Sequence, residues 1–97
     1  MTVGQWHHVL SNRVMDVLNT IPSLRGHFTR GEWLVQGALP DSHMGYQQWH
    51  RFYDGFVTYW LRAHPDATPS QFTEFLRRVY NTPDMHIRFP CALLVIH

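Results

Sequence analysis

Apolar and polar positions change their period several times along the chain, and each change marks an element. Residues 5–10, QWHHVL, lack helical spacing and read as a short strand or extended entry. From Asn12 to Ile21, Val14, Val17, Leu18 and Ile21 recur at three- and four-residue steps, which predicts a helix. Ser11 or Asn12 stands where its N-cap belongs, and Pro22 stops it. Residues 23–31 hold two glycines and little periodicity, so they read as a loop. Glu32 to Leu39 reads as a second strand, stopped by Pro40.

Asp41 or Ser42 then offers a cap to a long amphipathic helix running from about His43 to His64. Its Tyr46, Trp49, Phe52, Tyr53, Phe56 and Trp60 form an aromatic stripe at helical steps, expected to be core rather than a base-stacking surface. Pro65 and Pro69 break the pattern. Thr68 or Ser70 caps a further helix to Tyr80, with Phe72, Phe75, Leu76 and Val79 inward. The tail, MHIRFPCALLVIH, reads as extended, with a strand at 91–96. The expected order is β-α-β-α-α-β, an α+β fold in a single domain over residues 1–97.

Composition narrows the class. Hydrophobic residues make up 44% of the 97, with four Trp, six Phe and four Tyr, enough for a folded core. Cys91 is the sole cysteine, which excludes an intrachain disulfide and a cysteine-based zinc cluster. No basic segment followed by an apolar run opens the chain, so no signal peptide is expected in it. No run of about 18 apolar residues exists, so no transmembrane helix is expected. The formal net charge of +1 does not announce a nucleic-acid binder. Yet all eight basic residues are arginine, the side chain that grips phosphate with two parallel hydrogen bonds. A coding sequence rich in G and C gives the same bias.

The eight histidines change the picture most. His7 and His8 are adjacent, and neighbouring side chains of a strand point to opposite faces. Hydrolysis of a phosphodiester needs a base to activate water and a metal to steady developing negative charge. Imidazole suits both tasks, because its pKa lies near neutrality and its nitrogen binds transition metals. A tandem pair on a strand divides these tasks, although taken alone it is more readily read as incidental. On the helix, His50 and Asp54 are four apart and share a face, as do His43 and Gln47. His43 and His50 would lie about 10.5 Å apart in one continuous helix, so both reach one ion only if His43 precedes the helix or sits in a distorted first turn. His50 and Asp54 also suit an ordinary side-chain pair. His27, His64, His86 and His97 read as surface residues.

The segments QWHHVLSN, ALPDSHMGYQQWHRFYD and PDATPSQFTEFLRRVY resemble the tandem-histidine (WHH, AHH or GHH type) nuclease domains of bacterial polymorphic toxins, within the HNH/His-Me finger superfamily. The resemblance spans roughly residues 5–80. It implies a small ββα-metal core with additional helices and one divalent ion: Mg, Mn, Ni or Zn. It implies His7, His43 and His50 as metal ligands, with Asp54 in reserve, and His8 as general base. Asn12 is a candidate to orient that base, and Arg51 is a candidate phosphate contact by charge and geometry. The implied function is a metal-dependent endonuclease, cutting DNA in preference to RNA, secreted as an antibacterial effector into a target-cell cytoplasm and countered by a cognate immunity protein. The sequence departs from a minimal finger in the long insertion between His8 and His43. The competing expectation is a non-catalytic module, metal-stabilised or helical, that binds a protein partner.

Overall fold

The computed structural model describes residues 6–38 and 46–97, with side chains from 49 onward in the second stretch. The element order is β1 (Trp6–His8), α1 (Asn12–Leu18), β2 (Leu34–Gln36), α2 (Tyr46–Ala63), α3 (Pro69–Tyr80), α4 (Pro83–Arg88) and α5 (Ala92–Val95). The class is α+β, as the sequence implies.

The two strands pair antiparallel, Trp6 opposite Gln36, His7 opposite Val35 and His8 opposite Leu34. His7 and Val35 are both buried, so they form the inner face of the ribbon. Trp6 and Leu34 are exposed. The ladder extends through the Val9 amide to the Trp33 carbonyl, and the Ala38 amide bonds the Arg88 carbonyl, tying the far end of β2 to α4.

Ser11 caps α1 by accepting the Val14 amide, 3.2 Å away. The helix ends at Leu18, short of the expected Ile21. The Val17 carbonyl, which would accept the Ile21 amide in a continuing helix, instead receives the Thr20 amide at 3.0 Å and the Thr20 hydroxyl at 2.6 Å. Pro22 also disfavours helical backbone at Ile21. The expected loop follows, and Gly26 turns it with a φ of 85°, a conformation costly for residues bearing a Cβ.

Helix α2 buries Tyr53, Asp54, Val57, Thr58 and Leu61 and packs chiefly on α1. The proposed cap at Asp41 or Ser42 lies outside the described residues, as does the side chain of Tyr46. The aromatic stripe is core only in part. Tyr53 is buried and Trp49 and Trp60 are half-buried, but Phe52 is 73% exposed and Phe56 47%. Six positions spread over so wide an arc cannot all face one neighbour. Helix α3 opens with a capping box: Thr68 accepts the Gln71 amide, and the Gln71 side chain accepts the Thr68 amide. Pro69 sits in the first turn, where no amide proton is needed. Phe72, Phe75, Leu76 and Tyr80 face inward.

The tail corrects the sequence reading, since α4 and α5 are helices and no strand forms at 91–96. Pro83 opens α4, and Asp84 pairs with Arg88 one turn later at 3.0 Å. Met85 and Phe89, then Ala92 and Ile96, are the buried positions, each pair four apart. Pro90 divides one helical pattern into two short pieces. The Arg77 guanidinium holds the last piece by bonding the carbonyls of Leu93 and Ile96. No described helix is long and apolar enough to cross a membrane.

Candidate functional site

Strand alternation separates the two adjacent histidines. His7 turns inward and is 2% exposed. Its ring stacks on Phe89 with centroids 4.5 Å apart, and meets Trp49 and Tyr53 edge-on at 5.6 and 5.4 Å. The His50 ring lies 5.8 Å from it, centroid to centroid, at a steep angle. Sequence reasoning therefore named two residues, His7 and His50, 43 positions apart, whose rings the fold brings together edge to face.

Each ring is held from behind. His7 Nε2 lies 2.8 Å from the Tyr80 hydroxyl. Tyr80 donates to the Tyr53 hydroxyl at 2.8 Å, and Tyr53 donates to the Val9 carbonyl at 2.8 Å. His50 Nδ1 lies 3.1 Å from Asp54 Oδ2, and the Ser11 hydroxyl donates to Asp54 Oδ1 at 2.8 Å. Both oxygens of the buried carboxylate thus have donors. Asp54 acts on His50 rather than beside it, and fixes the ring as an outer carboxylate fixes a metal-ligating imidazole.

Ser11, His50 and Asp54 do not form a hydrolytic triad. The Ser11 proton goes to the carboxylate, and its oxygen accepts the Val14 amide. An activated serine must offer its proton to the imidazole. Ser11 serves instead as helix cap and carboxylate partner.

His8 faces the other way, half-buried, with Nε2 3.3 Å from the Arg30 guanidinium. Partial burial, and then the Arg30 charge, lower its pKa below the usual histidine value. Its ring is therefore kept neutral, the form a base requires. Arg51 is exposed beside His50, and Asn12 is exposed in the first turn of α1. His43 lies outside the described residues. His27, His64, His86 and His97 are all exposed, as expected.

The described donor set suits a metal in type. Two imidazoles sharing one ion hold their centroids roughly 5 Å apart when each metal–nitrogen bond is about 2.0–2.1 Å, close to the observed 5.8 Å. Among the described residues no group of three or more His, Cys, Asp or Glu side chains gathers to hold an ion. The third expected ligand, His43, is not among them.

Sequence reasoning missed Tyr80, Ser11 and Phe89 as parts of this site. Tyr80 had a signal: it falls four residues after Leu76 and eight after Phe72, on the buried face, and a buried hydroxyl needs a partner. Burial pushes both tyrosine hydroxyls well above their ordinary pKa, with the Asp54 charge adding to the effect; for Tyr53 the Tyr80 hydrogen bond partly offsets it.

A stability prediction follows from the sign of those shifts. The folded state keeps both phenols protonated where the unfolded chain ionises. Stability is therefore full below pH about 10 and lost as pH rises beyond it, at about 1.4 kcal/mol per pH unit for each tyrosine. Urea midpoints between about pH 8 and 11.5 should show this slope, and the double variant Tyr53→Phe/Tyr80→Phe should lose most of it. An equal slope in the double variant would place its source elsewhere.

No family model matches this chain, and neither a curated protein nor a solved structure does.

Proposed function

We propose that this domain is a metal-dependent endonuclease that hydrolyses phosphodiester bonds, of DNA in preference to RNA, as a toxin acting in a target-cell cytoplasm. The observation that carries this reading is the facing pair His7 and His50, each ring oriented by a buried hydrogen-bonded partner. Surface histidines have no need of such support.

The positions of His7, His8 and His50 support one role for each. His7 and His50, with His43, would hold one divalent ion, which when bound supplies charge stabilisation to the scissile phosphate and the leaving oxygen. His8, neutral beside Arg30, accepts a proton from water as the water oxygen attacks phosphorus and the bond to the leaving oxygen breaks. Arg51, beside His50, contacts a flanking phosphate.

Purified protein is expected to nick supercoiled plasmid in Mg²⁺, Mn²⁺ or Ni²⁺. His8→Ala should abolish nicking while its circular dichroism stays that of the wild type, since among the described residues the His8 side chain bonds only Arg30, at an exposed site. Unchanged cutting by that variant would remove His8 from the base role.

One observation favours a second reading, a non-catalytic protein-interaction module. An apolar groove of about 400 Å³ runs between α2 and the α3–α4 region, lined by Trp49, Phe52, Phe56, Phe75, Val79 and Met85. On this reading no ion supports cleavage, and alanine at His7, His8, His43 and His50 leaves partner binding intact.

A further inference from the structure

We infer that Tyr53 and Tyr80 form a hydrogen-bond relay that sets the tautomer of His7, with Tyr80 the positioning residue in contact with the ring. The direction of each bond follows from the one beyond it. The Val9 carbonyl can only accept, so the Tyr53 proton points to it. The Tyr53 oxygen is then the acceptor for Tyr80, whose single proton is thereby committed. The 2.8 Å contact between Tyr80 and His7 Nε2 is left with one arrangement, in which Nε2–H donates to the Tyr80 oxygen. The neutral ring then carries its lone pair on Nδ1.

The same logic gives His50 the opposite tautomer. The Asp54 carboxylate accepts from Nδ1–H, which places the lone pair on Nε2. Two facing imidazoles are thus set in opposite tautomers by two separate buried networks. One starts from a backbone carbonyl of the strand's own extension, and the other from a helix cap. Use of His7 Nδ1 as a ligand rests on the proposed metal site; the tautomer itself does not.

Long-range ¹H–¹⁵N correlation of the histidine rings in the full chain, at about pH 8 where imidazole is neutral, reads the tautomer directly. The wild type should show His7 as Nε2–H. In Tyr53→Phe the Tyr80 proton loses its acceptor and turns to His7 Nε2, so the ring should switch to Nδ1–H. Zn²⁺ affinity measured by calorimetry should then fall on the order of 10- to 100-fold. Tyr80→Phe removes the selecting oxygen and should show both tautomers. A merely structural tyrosine would leave the ring tautomer unmoved. Wild-type His7 as Nδ1–H, or a Tyr53→Phe spectrum that keeps Nε2–H, overturns the relay. If Tyr53→Phe does not fold, the wild-type and Tyr80→Phe spectra decide. A chain that switches tautomer yet cuts no plasmid upholds the relay and removes the nuclease reading.

Discussion

His7→Ala is expected to lower stability by about 2–4 kcal/mol and, on the proposed nuclease function, to reduce cleavage to the metal-free level. The ring is almost wholly buried, and its removal leaves a cavity against Phe89, Trp49, Tyr53 and Tyr80. Those neighbours belong to two helices, α2 and α3, and to the turn after α4, so the site has little freedom to collapse. It also removes the group hydrogen-bonded to the Tyr80 oxygen. In a domain of this size, the melting temperature should drop by roughly 10–25 °C. His7→Phe separates packing from chemistry: an aromatic ring refills the space and should recover most of the melting temperature, with cleavage still lost. A His7→Ala protein melting within about 2 °C of wild type would contradict the packing described.

The second large effect is expected at Asp54. Alanine there leaves the Ser11 hydroxyl and the His50 Nδ1–H without their acceptor, in a place 7% exposed. Each unsatisfied buried group costs about 1–3 kcal/mol, so a total of about 2–6 kcal/mol is expected. Zn²⁺ affinity should fall by about 10- to 100-fold as His50 loses its orienting partner. Asp54→Asn should fall between, because its amide oxygen still satisfies one donor. Urea unfolding and zinc titration of the two variants measure both quantities. An Asp54→Ala protein within about 0.5 kcal/mol of wild type would show that the carboxylate is dispensable.

The sequence makes some of this site legible and hides the rest for physical reasons. The opposite facing of His7 and His8 follows from strand alternation alone, while which of them turns inward does not. The His50–Asp54 pair follows from helical spacing. Both are local, and local geometry is what periodicity encodes. The meeting of His7 with Tyr80 is not, since 73 positions separate them and only the packed core brings them together. The tail shows a different failure. Its run of apolar and β-branched residues suggests a strand, while the inward positions Met85, Phe89, Ala92 and Ile96 keep helical steps on both sides of Pro90. In the long helix the stripe of aromatics is real, but it is wider than the surface available to cover it, so Phe52 and Phe56 stay outside.

The stacking of His7 on Phe89 has a consequence for how the molecule comes into being. Strand β1 is covered by a ring from beyond α4, so closing that contact pays a long loop-closure entropy and makes site formation one of the least local events in folding. During synthesis on the ribosome, a chain extended only through α2 holds His7, His8 and His50 but neither Tyr80 nor Phe89. The tandem histidines precede α3 and α4 in the chain, and the environment that orients them arises only when those later elements are made.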